Sequence, residues 1–140
     1  MQLVNSENPI LKRVCSPVSE GLDIRNIIEG MYKILKIENG VGLAAPQVGL
    51  DMRVIIIRCA SVDMAIINPV LTPCKKTKIV TSKGEGCLSF PNKRVNMKRY
   101  KRVILEGFDA DWNPVRMELK NLLAFIAQHE CDHLNGITIV

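Results

Sequence analysis

Hydrophobic residues recur at helical spacing in two segments of the chain. Within residues 23–39 they fall three or four positions apart, which is the spacing of one face of an amphipathic helix. Gly40 follows that segment and is well placed to end the helix. A second helix is predicted over about residues 119–135, with Gly136 after its last turn. One helix is therefore expected near each end of the chain.

Short apolar runs between these two helices predict strands. Residues 52–59 and 64–71 are rich in β-branched side chains and are typical of buried strands. Shorter strands are predicted at 78–82, 94–97, 102–108 and 115–119. A helix, several antiparallel-type strands and a helix that must pack on them indicate an α+β fold with mixed or antiparallel sheets. The chain is long enough to bury one core, so we expect a single domain over residues 1–140.

The composition is that of an ordinary globular protein, with 47% hydrophobic and 24% charged residues. No apolar run approaches the ~20 residues that a membrane-spanning helix needs. The N-terminus also lacks the basic-then-apolar layout of a secretory signal. The five cysteines are odd in number and irregularly spaced, which favours reduced thiols over a disulfide framework. A cytoplasmic protein without a membrane partner is expected.

The formal net charge is +5, and basic residues cluster at 75–78 and 98–102. Such clusters are more often solvated strand faces than binding sites, and we interpret both in that way. A net positive charge also produces weak attraction to a polyanion such as RNA. The chain has only one Trp, two Tyr and three Phe to stack on bases. No specific nucleic acid partner is therefore predicted, and a monomer is expected.

The segment QHECDH carries the clearest chemistry. His129 and His133 are the only two histidines, and they lie four residues apart, on one face of the predicted helix. Two imidazoles so placed can bind one metal ion, and Glu130 can reach a water beside it without being a ligand. The alternative is that both histidines are half-buried core residues and that Glu130 faces solvent. A short motif of this kind does not decide between the two.

The residues before the histidines favour the metal site. An apolar stripe at helical spacing continues directly into the histidine pair; its members are Leu122, Phe125, Ile126, His129 and His133. Such a stripe faces inward, and two buried imidazoles without partners would each cost a few kcal/mol. A metal ion satisfies both rings. An apolar wall that leads to a metal also suits a pocket for a hydrophobic side chain.

A third ligand must come from another residue type, because no other histidine exists. Cys87 follows Gly84, Glu85 and Gly86, a run that predicts a tight, exposed turn with accessible backbone amides. Alone, it would be assigned as a buried structural cysteine. Beside a histidine pair it becomes the natural ligand, since mixed Cys and His sets are common at metal sites. Asp132 or Glu130 could compete, but Asp132 points elsewhere on the helix and Glu130 as a ligand would leave no base.

A loop with many small residues, GVGLAAPQVG, connects the first helix to the first strand. It lacks the Gly-Lys-Ser/Thr ending of a nucleotide loop and follows a helix instead of a strand, so phosphate binding is not expected. A flexible connector is the simple interpretation. Small residues also let a backbone approach a ligand closely, which makes Gln47 a candidate donor at the end of that approach.

The segments GVGLAAPQ, EGCLS and QHECDHLNG, in this order, resemble the three signature motifs of peptide deformylases. The opening ENPILKRVCSPV is also similar to that family, so the resemblance covers essentially the whole chain. It implies a metal-dependent hydrolase that removes the formyl group from N-formylmethionyl peptides and releases formate. The implied fold is α+β, with sheets around the metal-bearing helix.

The resemblance also implies roles for individual residues. Cys87, His129 and His133 match the metal ligands, and Glu130 matches the catalytic acid and base. Further matches are the donors to the formyl oxygen (Gln47 and the Leu88 amide), the backbone groups that align the peptide (Val41, Gly42 and Gly86), the wall of the methionine pocket (Leu122, Phe125 and Ile126) and a residue near the substrate path (Arg94).

The implied cofactor is one divalent metal ion. The ligand set admits iron, zinc, nickel or cobalt, and family membership favours Fe²⁺. The resemblance also implies transient proximity to the ribosome. Two departures from the family stand out. The sequence ends at Val140, without the helical tail of many bacterial members, which puts tail-mediated ribosome docking in doubt. Lys83 occupies a place that is often apolar and near the methionine pocket, so we expect either an altered side-chain preference or a lysine whose ammonium reaches water.

Two other functions compete with deformylation. A metallopeptidase of the HExxH type would cleave internal peptide bonds, but it normally takes a third His or Glu from downstream, and none follows His133. A non-catalytic, metal-stabilised module could instead dock on ribosomal RNA through a basic face. The three matched metal ligands and the matched acid–base residue are all present, which argues against a module that has lost enzymatic activity.

Overall fold

Two α-helices and seven strands make up the computed structural model, which describes residues 1–140. In chain order they are α1 (Arg25–Ile37), β1 (Gly42–Ala44), β2 (Val54–Cys59), β3 (Val62–Pro73), β4 (Ile79–Cys87), β5 (Phe90–Tyr100), β6 (Arg102–Phe108), β7 (Pro114–Lys120) and α2 (Leu122–Leu134). Short 3₁₀ helices span Pro9–Lys12 and Ala45–Val48. The predicted α+β class is confirmed. Neither α-helix has the length and apolar character needed to cross a bilayer.

The strands form two sheets in which all neighbours run antiparallel. Five of them pair in the order β1-β2-β3-β6-β7, and β4 pairs with β5 as a separate two-stranded sheet. All six strands predicted from the sequence are present, and β4 and β5 are longer than expected. Two irregularities in the β4–β5 register, between Ser82 and Glu85 and between Glu85 and Cys87, bend this hairpin as it approaches α2.

Strand β2 lies at the centre of the packing, and its apolar run is buried on both faces. Ile55 and Ile57 belong to a core cluster that includes residues of α2, whereas Val54 and Ile56 belong to a second cluster that includes residues of α1. Successive side chains on a strand point to opposite faces. The two helices therefore cover opposite faces of the five-stranded sheet, which explains why this strand is continuously hydrophobic.

Both helix ends differ slightly from the prediction. Helix α1 ends at Ile37, and the left-handed conformation common at helix ends is taken by Asn39 (φ 53°) and not by Gly40. Gly40 instead lies against Leu35, where an added Cβ would come within 2.9 Å of a side-chain carbon. Helix α2 begins three residues later than predicted, because Leu119 is still a core residue of β7.

The connector between α1 and β2 forms regular structure, so the alternative of a flexible connector is wrong. Gly42–Ala44 is a strand that pairs with β2 in the register Gly42 with Ile57. The 3₁₀ helix Ala45–Val48 follows at once and is entirely buried. An edge of the sheet was available for pairing, and small residues could approach it closely. The connector thus becomes one wall of the site described next.

Candidate active site

Cys87 is the last residue of β4 and is 9% exposed. The turn predicted within residues 84–91 lies at Leu88 and Ser89, whereas residues 84–87 continue the strand and Cys87 is buried instead of exposed. The bends in the hairpin deliver the cysteine against α2. A strand end next to a helix is a more rigid support for a ligand than a free loop.

The structure brings Cys87 together with the two histidines of α2. The ligand atoms that Cys87, His129 and His133 offer all lie within 4.8 Å of one another. Sγ of Cys87 is 3.3 Å from Nε2 of His133, and the ring centroids of the two histidines are 5.0 Å apart. One turn of helix places both rings on the face toward the cysteine. Three donors from distant parts of the chain therefore converge at one point.

The electrostatic surroundings of the two imidazoles differ. Burial and, to a smaller extent, the neighbouring His129 lower the pKa of His133 to about 3, so this ring is neutral at pH 7. Burial also opposes charge on His129, but the Glu130 carboxylate, Cys87 and Glu85 outweigh it and raise the pKa to about 10. The same anionic neighbours that stabilise a positive ring would stabilise a divalent cation. The donor set and its charge therefore fit a metal ion.

A charged network on β4, β5 and α2 supports His129 and was not predicted. Nδ1 of His129 lies 3.2 Å from Oε1 of Glu85. Arg99 donates to both oxygens of Glu85 over 2.7 and 3.0 Å and to Asp132 over 2.6 Å. Burial opposes the charge of Glu85, but hydrogen bonds from Arg99 and His129 lower its pKa to about 2. The pairing of Asp132 with Arg99 agrees with its exclusion from the ligand set.

Arg99 itself corrects the interpretation of the basic cluster at 98–102 as a solvated face, since its side chain is only 5% exposed. Lys98 and Tyr100 on either side of it are exposed, as strand alternation requires. The period-two pattern of β5 was the signal that could have separated this inward-pointing arginine from its neighbours. Its partners, however, lie 14 and 33 residues away along the chain and are not marked by any local motif.

Glu130 is buried against the small residues of β1, so the alternative with this carboxylate in solvent is wrong. Burial raises its pKa to about 7. Oε1 has no hydrogen-bond partner, and a Cβ added to Gly42 would come within 2.5 Å of Oε2. Glycine at position 42 therefore makes room for this carboxylate. A buried oxygen without a donor is costly, and a water held by a neighbouring cation would supply that donor.

The orientation of the Gln47 side chain follows from its hydrogen bonds. Oε1 accepts from the Ala44 amide over 2.9 Å, so the amide nitrogen must point the other way. That nitrogen donates to Oγ of Ser89 over 3.1 Å and lies 3.5 Å from Sγ of Cys87. Gln47 is 1% exposed. Its N–H groups are therefore held rigidly at the edge of the donor cluster.

These residues open into one cavity of about 580 Å³, bounded by the α1–β1 segment, the β4–β5 hairpin and α2. Its lining includes the other candidate residues named from the sequence, which are Val41, Gly42, Gly86, Leu88, Arg94, Leu122, Phe125 and Ile126. Three apolar residues of the α2 stripe line this cavity, and one of them, Ile126, also belongs to the core. Ile126 is 7% exposed, whereas Leu122 is 59% exposed and lies at the mouth. Lys83 also lines the cavity and is exposed.

Known proteins of one kind resemble this chain over its whole length. The family model described as Polypeptide deformylase matches residues 1–140. The peptide deformylase of Dictyoglomus turgidum is 38% identical over 100% of this chain and 90% of its own. The crystal structure of the deformylase of a Vibrio parahaemolyticus bacteriophage, in complex with actinonin, has a TM-score of 0.94, 40% identity and coverage of 99% and 100% of the two chains. The peptide deformylase of Thermotoga maritima has a TM-score of 0.88 at 34% identity, covering 98% and 92%.

Proposed function

We propose a mechanism from the premise that this chain belongs to the polypeptide deformylase family. The mechanism assigns a part in the reaction of that family to each residue of the site. The enzyme is a metallohydrolase that removes the N-formyl group from the N-terminal formylmethionine of nascent peptides and releases formate. Cys87, His129 and His133 are the residues that would hold the single divalent ion. Their convergence within 4.8 Å, with Glu130 beside them, is the observation on which the proposal depends.

A divalent ion at this position supplies Lewis acidity, which lowers the pKa of an adjacent water and provides a nucleophile near neutral pH. Glu130 then acts as the proton carrier. It accepts a proton from the attacking water and delivers it to the nitrogen of methionine as the C–N bond breaks, which leaves formate and a free amine. Its burial in the cavity wall suits this role, since a carboxylate with a pKa near neutrality can both accept and donate.

The formyl oxygen becomes negatively charged during attack and needs donors. The fixed N–H groups of Gln47 and the backbone amide of Leu88 are the donors that we assign to it. Such a donor is typically worth about 3 kcal/mol of transition-state stabilisation, because it is preorganised and shielded from water. The hydrogen bond from Ala44 to Gln47 is what keeps the donor aimed at the reacting centre.

The remaining cavity binds the peptide. Leu122, Phe125 and Ile126 form the wall for the methionine side chain, and Arg94 lies beside the path of the following residues. Backbone groups of Val41, Gly42 and Gly86 align the extended substrate by hydrogen bonds, as in strand addition. Strand β1 and the end of β4 both line the cavity, so a peptide between them would have a strand on each side.

Formate release tests the proposal directly. Formyl-Met-Ala-Ser should yield formate, whereas acetyl-Met-Ala-Ser should not be hydrolysed, because the carbonyl carbon of an acetyl group carries a methyl group in place of hydrogen and is bulkier and less electrophilic. Cleavage of an internal bond in either peptide would instead support a metallopeptidase. A Glu130→Gln variant should lose about 10²–10⁴-fold in turnover while it retains its metal, as expected for loss of the acid–base group.

The identity of the metal is a separate proposal. A set of one thiolate and two imidazoles accepts Fe²⁺, Zn²⁺, Ni²⁺ or Co²⁺, and we propose Fe²⁺ as the native ion. Elemental analysis after anaerobic purification would identify it. Oxidation of the iron or of Cys87 should inactivate the air-exposed enzyme. An anaerobic preparation that contained only zinc would contradict the assignment of iron.

We further propose that residues 1–140 act as a single catalytic domain, as a cytoplasmic monomer that meets nascent chains near the ribosome. The two basic clusters support transient proximity. They lie side by side, because the amide of Lys101 donates to the carbonyl of Lys78 and that of Cys74 to Arg102. Cosedimentation with ribosomes should weaken as salt is raised if this surface contacts RNA. Binding that is insensitive to salt would contradict that role.

A further inference from the structure

Three carboxylates and two side chains of Lys or Arg line the cavity. Two of the three carboxylates already have a role in the site. Glu85 is paired with Arg99, and Glu130 is buried beside the metal ligands. Glu38 is the one exposed carboxylate of the lining, at the end of α1. The other two charged residues, Lys83 and Arg94, are exposed cations on the opposite strands of the β4–β5 hairpin.

Neither cation has a partner in the structure. Lys83 and Arg94 take part in no ion pair, whereas Arg99 and Arg102 are both paired. The guanidinium of Arg94 lies over Gly86, at the point where a Cβ would be placed. It is therefore held directly above the strand that we assign to substrate alignment. An unpaired cation in that position is available to an incoming anion.

The hairpin as a whole is strongly cationic. Residues 79–100 contain five cations (Lys83, Lys93, Arg94, Lys98 and Arg99) and one carboxylate, Glu85, which Arg99 neutralises. The field at the cavity mouth is therefore positive on the hairpin side. An anionic group that approached the metal centre from this side would be attracted, and a cationic one would be repelled.

We propose that Lys83, together with Arg94, makes this enzyme prefer formylmethionyl peptides with an acidic residue within the three positions after the methionine. This inference rests on the proposed function. Lys83 lines the same cavity as Cys87 and Glu130, so its ligand is part of the substrate and not a separate partner. The methionine side chain occupies the apolar wall of α2, and the next residues must leave through the mouth that the two cations border.

The expected effect is moderate because both cations are solvated. An exposed ion pair contributes about 0.2–1 kcal/mol, which corresponds to at most about a fivefold change in kcat/KM for one carboxylate. The change should appear mainly in KM, since the contact is made in the ground state and persists in the transition state. It should also shrink as salt rises from 0.05 to 0.5 M, values chosen to shorten the screening length from about 14 to about 4 Å.

Pairs of peptides that differ only in Asp and Asn test the preference. Formyl-Met peptides with Asp or Asn at the second, third or fourth residue should be compared by formate release on the metal-loaded enzyme. The Asp peptide should be favoured about twofold to fivefold at one of these positions. The Lys83→Met variant should bring that ratio close to one, and Lys83→Glu should invert it. Lys75→Met, which removes the same charge from the exposed β3–β4 turn outside the cavity, should leave the ratio unchanged.

The possible outcomes separate this inference from the function on which it rests. If no formylated peptide yields formate, the proposed function fails. If the Asn peptides are processed and the Asp peptides gain nothing at any position, the preference is refuted while deformylation stands. If an acidic preference exists but survives Lys83→Glu, the assignment to Lys83 is wrong. If Lys75→Met abolishes the preference as fully as Lys83→Met does, the preference arises from the net charge of the protein and not from the cations at the cavity mouth.

Discussion

Nδ1 of His129 lies 3.2 Å from a carboxylate oxygen of Glu85. An ionised carboxylate can only accept a hydrogen bond, so the contact keeps a proton on Nδ1, and Nε2 is the ring nitrogen that would exchange its proton for a metal ion. A residue 44 positions away in the chain thereby orients a histidine that is a candidate metal ligand. Carboxylates in this position also orient the ring and make it a more basic ligand.

Loss of the Glu85 carboxylate should therefore weaken metal binding. We expect Glu85→Gln to lower the affinity for Zn²⁺ by about 10–100-fold, measured by competition with a chelator. Glu106→Gln is a suitable control, because it removes the same charge from an exposed position on β6. Equal affinities for the two variants would mean that the contact between Glu85 and His129 does not support the metal.

Gln47 should affect catalysis without affecting the metal. Gln47→Leu removes the N–H donor while keeping a side chain of similar size, and we expect kcat to fall by about 10²–10³-fold with the metal content unchanged. Ser89→Ala removes only the hydroxyl that accepts from Gln47 and should cost less. A variant Gln47→Leu that loses its metal would instead indicate that the amide helps to hold Cys87, which lies 3.5 Å from it.

The convergence of the three candidate metal ligands was predictable from the sequence, whereas the network that contacts them was not. His129 and His133 are one helical turn apart, so their convergence depends only on local periodicity. Cys87 required one further step, the absence of a third histidine. Burial of Arg99 could not be inferred in the same way, because it depends on partners brought near by tertiary packing. A basic cluster in a sequence does not reveal which of its members turns inward.

The segment from Gly42 to Ala44 shows a second limit. Two of its three residues are small and none is β-branched, so composition favoured a loop. Pairing with β2 made it a strand, through hydrogen bonds that an exposed sheet edge offers to any extended backbone. Strand propensity is weaker than this tertiary effect. The glycine that looked like a sign of flexibility is required by the contact with Glu130.

That contact leads to a prediction for Gly42→Ala. A Cβ at this position would lie 2.5 Å from Oε2 of Glu130, and the flexible end of that side chain is what can yield. We expect kcat to fall, by up to about 10²-fold if the carboxylate moves by 1 Å, while metal content and thermal stability change little. In a Glu130→Gln background the same substitution should cause little further loss, because both act on one group. If the losses of kcat caused by the two substitutions are instead additive, Gly42 does not act through Glu130.

Far from the site, Tyr32 on α1 should make stability depend on alkaline pH. Its hydroxyl donates to Asp63 on β3 over 2.9 Å, and burial together with this hydrogen bond raises the pKa of the phenol. The unfolded phenol has a pKa of about 10. The group therefore stabilises the fold fully below about pH 10, and the contribution is lost as the pH rises through the higher folded pKa.

The free energy of unfolding in urea should reveal this dependence when the protein is compared with Tyr32→Phe from pH 8 to pH 11. The difference between the two proteins should be constant up to about pH 9 and should then decline, because only the natural chain releases the Tyr32 proton on unfolding. Titrations of cysteine and lysine are common to both proteins and cancel. Tyr100→Phe, at an exposed position whose hydroxyl is not hydrogen-bonded to the protein, should show a smaller difference at pH 8. If the difference for Tyr32→Phe stays constant beyond pH 10, the phenol does not titrate differently in the folded and unfolded chains.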